Sequence, residues 1–269
     1  MPRRGGTARS AMVTIIPHRR PFLGKLRTSV LKRRVRLARF LARWRRDGGM
    51  PMTCRYFGAA FAVGAGELIG DEIALNRYEW RELTMMLAAC RECRPRLFID
   101  VGANIGVYSC ILGKARAVPR LIAFEPDRQN FARLVENIGR NGLKGMSDLR
   151  PFAVGAKAGT AYLVPGGPDN SGLSKLVGPD SGGYGVAVVA LDETTDIEDS
   201  VICAKIDVEG YELEVLAGAA RLFRHNSGYV QIEGHGDQRA AEIAEIMREY
   251  GWQFVDRYGL DLRFARTSL

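Results

Sequence analysis

No apolar run in this chain approaches the about 20 residues that a helix needs to cross a bilayer, so no membrane-spanning helix is expected. Cysteine is sparse as well. There are five, an odd number, and with no recognisable secretory signal they predict a reducing, cytoplasmic setting without a disulfide framework. Cys90 and Cys93 form a C-x-x-C, but no second pair of ligands stands nearby. Packing on a helix accounts for them better than zinc or redox chemistry, and no metal set is read from the sequence. Histidine is rarer still, at three residues, so the position of each carries weight.

The most informative absence is of acid: no Asp or Glu precedes Asp47, while fifteen Lys and Arg do. The net charge of +9 is thus the difference between an arm of +15 and a remainder of −6. Within the arm, Leu23, Leu26, Val30, Leu37, Leu41 and Trp44 recur at helical spacing with Arg and Lys at most other places, which predicts a cationic amphipathic helix between Phe22 and Arg46. Docking of residues 1–46 on an anionic membrane or on a biosynthetic partner uses both stripe and charge. Nucleic acid would leave the stripe without a use and is not the expected partner. A solvated arm and an organellar transit peptide are the other readings, and Met50 or Met52 is an alternative start. The Gly-containing break from Asp47 to Pro51 then divides the chain into a basic extension, residues 1–50, and one domain, residues 51–269, with a single substantial core. The expected location is cytoplasmic, peripheral at the inner membrane face if the arm meets lipid.

What the domain has in abundance is the pattern of a nucleotide-binding half-sheet. R-L-F-I-D-V-G-A-N-I-G, from Arg96 to Gly106, reads as a strand buried on both faces that runs into a Gly-x-Asn-x-Gly turn. Gly102 and Gly106 can take positive φ and let backbone N–H groups approach a ligand, and a helix beginning near Ile105 points its N-terminus at the same place. Asp100 ends the strand, where open α/β sheets bind ligands. A second apolar strand, Leu121 to Phe124, ends in Glu125, placed to accept from both hydroxyls of a ribose. With Asn104 at the middle position and no Gly-x-Gly-x-x-Gly, a phosphate-free nucleoside such as S-adenosylmethionine suits the turn better than NAD.

Three stretches now stand in order: D-V-G-A-N-I-G, then F-E-P-D with N-F-A-R-L-V-E-N, then K-I-D-V-E-G-Y-E-L-E-V-L-A-G-A. Together they resemble the FkbM family of S-adenosylmethionine-dependent methyltransferases, over about Tyr56 to the C-terminus. The resemblance implies a Rossmann-like class I methyltransferase, an α/β fold whose seven-stranded, mostly parallel sheet ends in an antiparallel last strand. It implies S-adenosylmethionine as cofactor and a hydroxyl of a sugar, glycan or glycolipid as acceptor. A soluble secondary metabolite as acceptor, or a cofactor-binding interaction protein without turnover, are the alternatives. R-Y-E-W resembles the family's Tyr-Glu element, which brings Glu79 to the edge of the cofactor site; a helix N-terminal carboxylate explains Glu79 equally well. The Asn-Ser-Gly segment in the loop P-G-G-P-D-N-S-G-L-S-K-L resembles one that lies on the family's substrate side.

The remaining elements follow from periodicity. A hairpin is expected between Thr53 and Ile69, a helix from Glu79 to Cys93 with Leu83, Met86, Leu87 and Cys90 on one face, and a helix from Asp127 to Gly139 with Phe131, Leu134, Val135 and Ile138 inward. Leu149 to Val154 reads as a third strand at a sheet edge, because of Pro151. Two extra strands are expected, Thr160 to Val164 and Val186 to Ala190. A fourth strand from Ile202 to Val208 runs into a helix from Tyr211 to Arg221, and a fifth, Tyr229 to Ile232, is followed by E-G-H-G. A helix from Arg239 to Tyr250 and a terminal hairpin around Gly259 complete the count. Strand alternation puts Lys205, Asp207 and Glu209 on one side, with Asp207 and Asp100 as the expected partners of the lysine. Glu233 and His235 emerge at the same edge. The expected cofactor contacts are Glu79, Asp100, Gly102, Asn104, Gly106, Glu125, Phe152, Asp207 and Glu209. His235, Asp207, Lys205 and Glu233 are the expected catalytic group, with His235 the proton acceptor and Asp207 its competitor.

Overall fold

The computed structural model describes residues 52–64, 67–167, 174–177 and 182–267. The expected basic helix and the Asn-Ser-Gly segment lie outside the described residues.

Seven strands form the central sheet, in chain order β3 (Leu97–Val101), β4 (Leu121–Phe124), β5 (Ser147–Arg150), β10 (Ser200–Ile206), β11 (Asn226–Glu233), β12 (Gln253–Tyr258) and β13 (Asp261–Arg266). Their spatial order is β12-β13-β11-β10-β3-β4-β5, and β13, the last strand, runs antiparallel to both its neighbours while the β5-to-β11 pairs are parallel. This is the expected arrangement. The strand order reverses between β3 and β10, so the crevice for a ligand opens at their carboxyl ends.

Alternation along the strands gives the sheet two different faces. One carries Leu97, Ile99, Val101, Ile122, Ile202, Ala204, Ile206, Val230 and Ile232 and packs on α6 (Glu212–Ala217), α7 (Ala220–Arg224) and α8 (Gly236–Glu249). The other starts apolar, with Phe98, Leu121, Ala123 and Cys203 under α2 (Trp80–Cys93), α3 (Val107–Lys114) and α4 (Arg128–Arg140). It then turns polar toward the carboxyl ends. Asp100 pairs with Lys205, Lys205 with Gln231, Gln231 with Arg263 and Arg263 with Asp256, a polar row across five strands. On α2 the expected face is the buried one, and Cys90 packs there while Cys93 Sγ lies 3.4 Å from Cys203 Sγ.

Some expectations need correction. The third strand is two: after Ser147–Arg150, Pro151 has no N–H to continue the ladder, and β6 (Ala153–Val154) joins a separate sheet. That four-stranded sheet, in order β6-β9-β7-β8, contains β7 (Gly159–Val164), β9 (Tyr184–Val189) and a strand not foreseen, β8 (Lys175–Val177). The helix expected from Tyr211 to Arg221 breaks between α6 and α7. A side chain at Gly218 would meet Gly155 O at 2.0 Å, and the Gly218 carbonyl instead accepts from Asp192 N in the one-turn α5 (Leu191–Thr194). Val135 on α4 is 39 % exposed, and Asn130 and Asn137 are buried instead.

Those asparagines explain how the leading hairpin, β1 (Met52–Tyr56) and β2 (Ala59–Val63), docks before the short helix α1 (Leu68–Ala74). Asn141, the α4 C-cap, accepts from Ala60 N at 2.8 Å and donates to Ala60 O at 2.8 Å, as a neighbouring strand would. Asn137 accepts from Ala62 N at 3.0 Å and donates to Ile105 O at 2.9 Å, so one side chain holds both hairpin and turn. Asn137→Ala and Asn141→Ala are each expected to lower stability by about 1 to 3 kcal/mol, because backbone groups of β2 lose buried partners. Urea denaturation checks this, and midpoints equal to wild type would show that water replaces the amides.

Candidate functional site

A cavity of about 450 Å³ opens at the carboxyl ends of the central strands. Its floor is the β3–α3 turn. Gly102 and Asn104 adopt positive φ, of 79° and 51°, and a side chain at Gly102 would meet Asp207 O at 1.8 Å. Asp207 N also donates to Val101 O at 3.0 Å, so the turn and the end of β10 are in backbone contact. Only glycine fits there. Gly106 serves packing: it does not line the cavity, and a side chain on it would strike Leu134 Cδ1 at 2.5 Å.

Glu125 lines one end. Its Oε2 accepts from Asn104 N at 2.7 Å and its Oε1 from Asp127 N at 2.8 Å, which fixes the carboxyl group and leaves further lone pairs facing the cavity. Burial pushes its pKa up to about 8, against the pull of those two N–H groups. Phe152 and Val154 supply apolar wall beside it, and Leu163, Ser174 and Leu176 of the second sheet supply more. Tyr184 fastens that sheet to the cavity edge, its hydroxyl donating to Asp127 Oδ2 at 3.2 Å.

The other end is a cluster of charges. Lys205 is buried and its Nζ stands 2.7 Å from Asp261 Oδ1 and 3.5 Å from Asp207 Oδ2. Asp261, on the last strand, thus takes the place expected of Asp100. Asp100 is occupied otherwise: its Oδ2 accepts from Ser109 Oγ at 2.6 Å and Ser109 N at 3.2 Å, and burial raises its pKa to about 6. Burial disfavours the charge on Lys205, yet Asp207 and Asp261 outweigh it and hold the amine well above its usual range. Burial likewise opposes ionisation of Asp207, but Lys205 brings the net shift below the ordinary carboxylate value. Glu233 goes the other way: burial, then its hydrogen bond and repulsion with Asp207, raise it to about 10. The two carboxyls therefore share a proton, which Glu233 holds at neutral pH.

Glu79, half-buried and at the mouth, accepts from Tyr108 OH at 2.8 Å, and Gln231 Nε2 donates to the same hydroxyl at 3.1 Å. Burial lifts Glu79 to about 7 despite Lys205. His235 stands just outside the lining, with its side chain 46 % exposed and Nε2 at 3.6 Å from both Glu209 Oε2 and Glu233 Oε2. One ligand atom from each of Glu209, Glu233 and His235 lies within 4.8 Å of the others, a spacing that a cation could use. Of the residues singled out from sequence, Glu79, Asp100, Gly102, Asn104, Glu125, Phe152, Lys205, Asp207, Glu209 and Glu233 line one cavity. Tyr108 and Asp261 were not foreseen. Tyr108 reads as helix core, and Asp261 lies 56 residues from Lys205 with no local pattern to link them.

Removing the lysine isolates two acids. Lys205→Met is expected to cost about 3 to 5 kcal/mol, as an uncompensated buried charge does, and Lys205→Met with Asp261→Asn should recover part of that loss. Chemical denaturation of the single and double variants measures both, and a single variant as stable as wild type would mean the cluster is solvated.

Comparison with known proteins adds an independent line. Residues 100–254 match the methyltransferase FkbM domain. The hexuronic acid methyltransferase AglP of Haloferax volcanii is 28% identical over 152 residues, which are 56% of this chain and 60% of that protein; the chain thus spans under two thirds of this relative's length. Among solved structures, the FkbM methyltransferase of Methylobacillus flagellatus superposes with a TM-score of 0.48 at 20% identity, over 63% of this chain and 43% of that one. TYW2 of M. jannaschii, crystallised with AdoMet, gives 0.46 at 13% identity over 81% and 87%. The family match covers more than half of the chain and includes the Asp100 turn, Glu125 and the Lys205–Glu233 cluster: the protein belongs to the FkbM methyltransferase family.

Proposed function

We propose that the protein transfers a methyl group from S-adenosylmethionine to a hydroxyl of a sugar, within a glycan or glycolipid acceptor. The observation that carries this reading is one cavity with a fixed carboxyl group at one end and a cluster of acids, lysine and imidazole at the other. The residues present fit the cofactor. Glu125 would receive the ribose hydroxyls, the Gly102–Asn104 turn would lie against the nucleoside, and Phe152 and Val154 would flank the adenine. When bound, the cofactor supplies an electrophilic methyl group on a sulfonium. What remains for the chain itself is positioning, together with removal of the acceptor's proton.

For the proton, the cluster favours His235. Glu233 holds a proton of its own, and Lys205 keeps Asp207 ionised and weakly basic. His235 is reachable by an acceptor, and the Glu209 carboxylate stands 3.6 Å from the nitrogen that would become charged. The sugar acceptor is supported by the activity of the H. volcanii relative, a hexuronic acid methyltransferase. Transfer of labelled methyl groups to glycan, lipid and RNA fractions tests the reading, and label in RNA alone would overturn it.

His235→Ala is expected to lower turnover by about 10² to 10⁴ with cofactor affinity unchanged. Asp207→Asn should impair positioning as well. A near-normal rate for His235→Ala with an inactive Asp207→Asn would move the proton to Asp207. Loss of activity on chelation, restored by Mg²⁺ or Mn²⁺, would make His235 a ligand and not a base.

Cofactor affinity should depend on pH through Glu125. Its carboxyl is protonated at neutral pH in the cofactor-free protein, since its pKa lies at about 8. Two hydroxyl donors require the ionised form, so binding releases a proton and strengthens as pH rises, by up to about tenfold per unit, until it levels above that pKa. Calorimetry in buffers of different ionisation heat should detect the proton. Glu125→Gln should abolish the dependence, and Glu125→Ala should lose about 1.5 to 3 kcal/mol of affinity.

A further inference from the structure

Next to Glu79 in the chain, two exposed side chains, Trp80 and Arg81, meet the half-buried Tyr258. Trp80 is 51% exposed at the start of α2, directly after Glu79, which lines the cavity. The Arg81 guanidinium lies 5.5 Å from the centre of the Trp80 ring and 5.1 Å from that of Tyr258, and its Nη1 donates to Tyr258 OH at 2.9 Å. Ion pairs are frequent among the surface arginines, as in Arg257 with Asp237 or Arg140 with Glu136. Arg81, an exposed residue, has no carboxylate at ion-pair distance among the described residues. Its guanidinium lies near two aromatic rings, spends one donor on the Tyr258 hydroxyl and keeps others to spare.

The sheet register locates this stack relative to the chemistry. Tyr258 pairs with Asp261, and Asp261 pairs with Glu233, so the three stand in line across adjacent strands. Two strand spacings put Tyr258 about 10 Å from Glu233. That is too far for the ring that carries the reacting hydroxyl, and within reach of the next ring of a linked saccharide. An exposed indole suits the apolar C–H face of a pyranose. A guanidinium that is anchored by one donor to the Tyr258 hydroxyl and lies near two rings suits a carboxylate, to which its other donors can turn. The buried face of α2, Leu83, Met86, Leu87 and Cys90, keeps the platform rigid.

We propose that Trp80, Arg81 and Tyr258 form a subsite for a uronic acid unit adjoining the sugar that is methylated. The acceptor is then an acidic oligosaccharide and not a single sugar. This rests on the reading of the cavity as a sugar methyltransferase site. A nucleobase would also stack on Trp80, so single-stranded RNA is the competing ligand that the test includes.

The full chain can be titrated with trigalacturonate, with galacturonate, with neutral maltotriose and with a short single-stranded RNA, following tryptophan fluorescence. Trp252 is buried, so Trp80 is the exposed indole among the described residues. The expected result is a saturable change with trigalacturonate, at least about tenfold weaker with galacturonate or maltotriose. The change should be absent in Trp80→Ala and at least about tenfold weaker in Arg81→Gln. Calorimetric affinity for S-adenosylmethionine should be the same in wild type and both variants, which also reports that they are folded. No response to trigalacturonate, an equal response to galacturonate or maltotriose, a tighter response to RNA that is lost in Trp80→Ala, or a trigalacturonate response that survives in Trp80→Ala would each overturn the subsite. Failure of wild type to bind S-adenosylmethionine, or to label any glycan, would overturn the underlying reading instead.

Discussion

Lys205 is charged, buried and in the middle of the sheet, and much of the site follows from the need to keep it so. A lone ammonium at that position would be intolerable, so acids must come to it from more than one strand. Asp207 arrives from its own chain end, and Asp261 from the strand that closes the sheet. The pairing with Asp261 can form only when the last hairpin lies beside β11, so the site is complete only in the fully assembled sheet. Once assembled, the lysine keeps Asp207 ionised, while burial first, and then Asp207, keeps a proton on the neighbouring Glu233 against the pull of the lysine. Burial and one buried pair of opposite charges thereby set different protonation states on two neighbouring carboxyl groups of the cavity.

How much of this could be read in advance depended on the range of the interactions. The strand into Gly102, the turn through Asn104 and the arrival of Glu125 are consecutive or nearly so, and local pattern suffices for them. Asp127 as the α4 cap is local too, and its side chain does accept from Gln129 N and Asn130 N. Asp261 was illegible because its partner is brought to it by the sheet, and Tyr108 because an apolar helix position says nothing of a hydroxyl directed at Glu79. Asn137 and Asn141 were missed for a related reason. A buried amide that replaces a strand leaves no periodic signal, and Val135 looked the better core residue. The break of the helix at Gly218 required knowledge of a distant backbone, that of Gly155.

The second sheet shows a similar division. Two of its strands have legible β pattern, whereas β6 arises because Pro151 ends one ladder just before another begins. Its attachment is asymmetric. β6 is continuous with β5 through Pro151 and Phe152, while the adjoining strand β9 is held to α4 by the Tyr184 hydroxyl, which donates to Asp127 and accepts from Arg128 N. The wall that carries Leu163 and Leu176 is thus a covalent extension of the cofactor half of the cleft, and the wall that carries Glu79 belongs to α2. Different parts of the chain bound the two ends of one cavity.

The contact between Gly102 and Asp207 has a consequence for how such a family diversifies. In the proposed reading the turn would face the nucleoside and the strand end the acceptor; since they touch through main chain, the separation between donor and acceptor would be written into the backbone path and untouched by side-chain drift. Mutation would then be free to rework the rim without altering the reach of the transfer itself. A lineage built on this joint is free to change its clientele while keeping one fixed stroke.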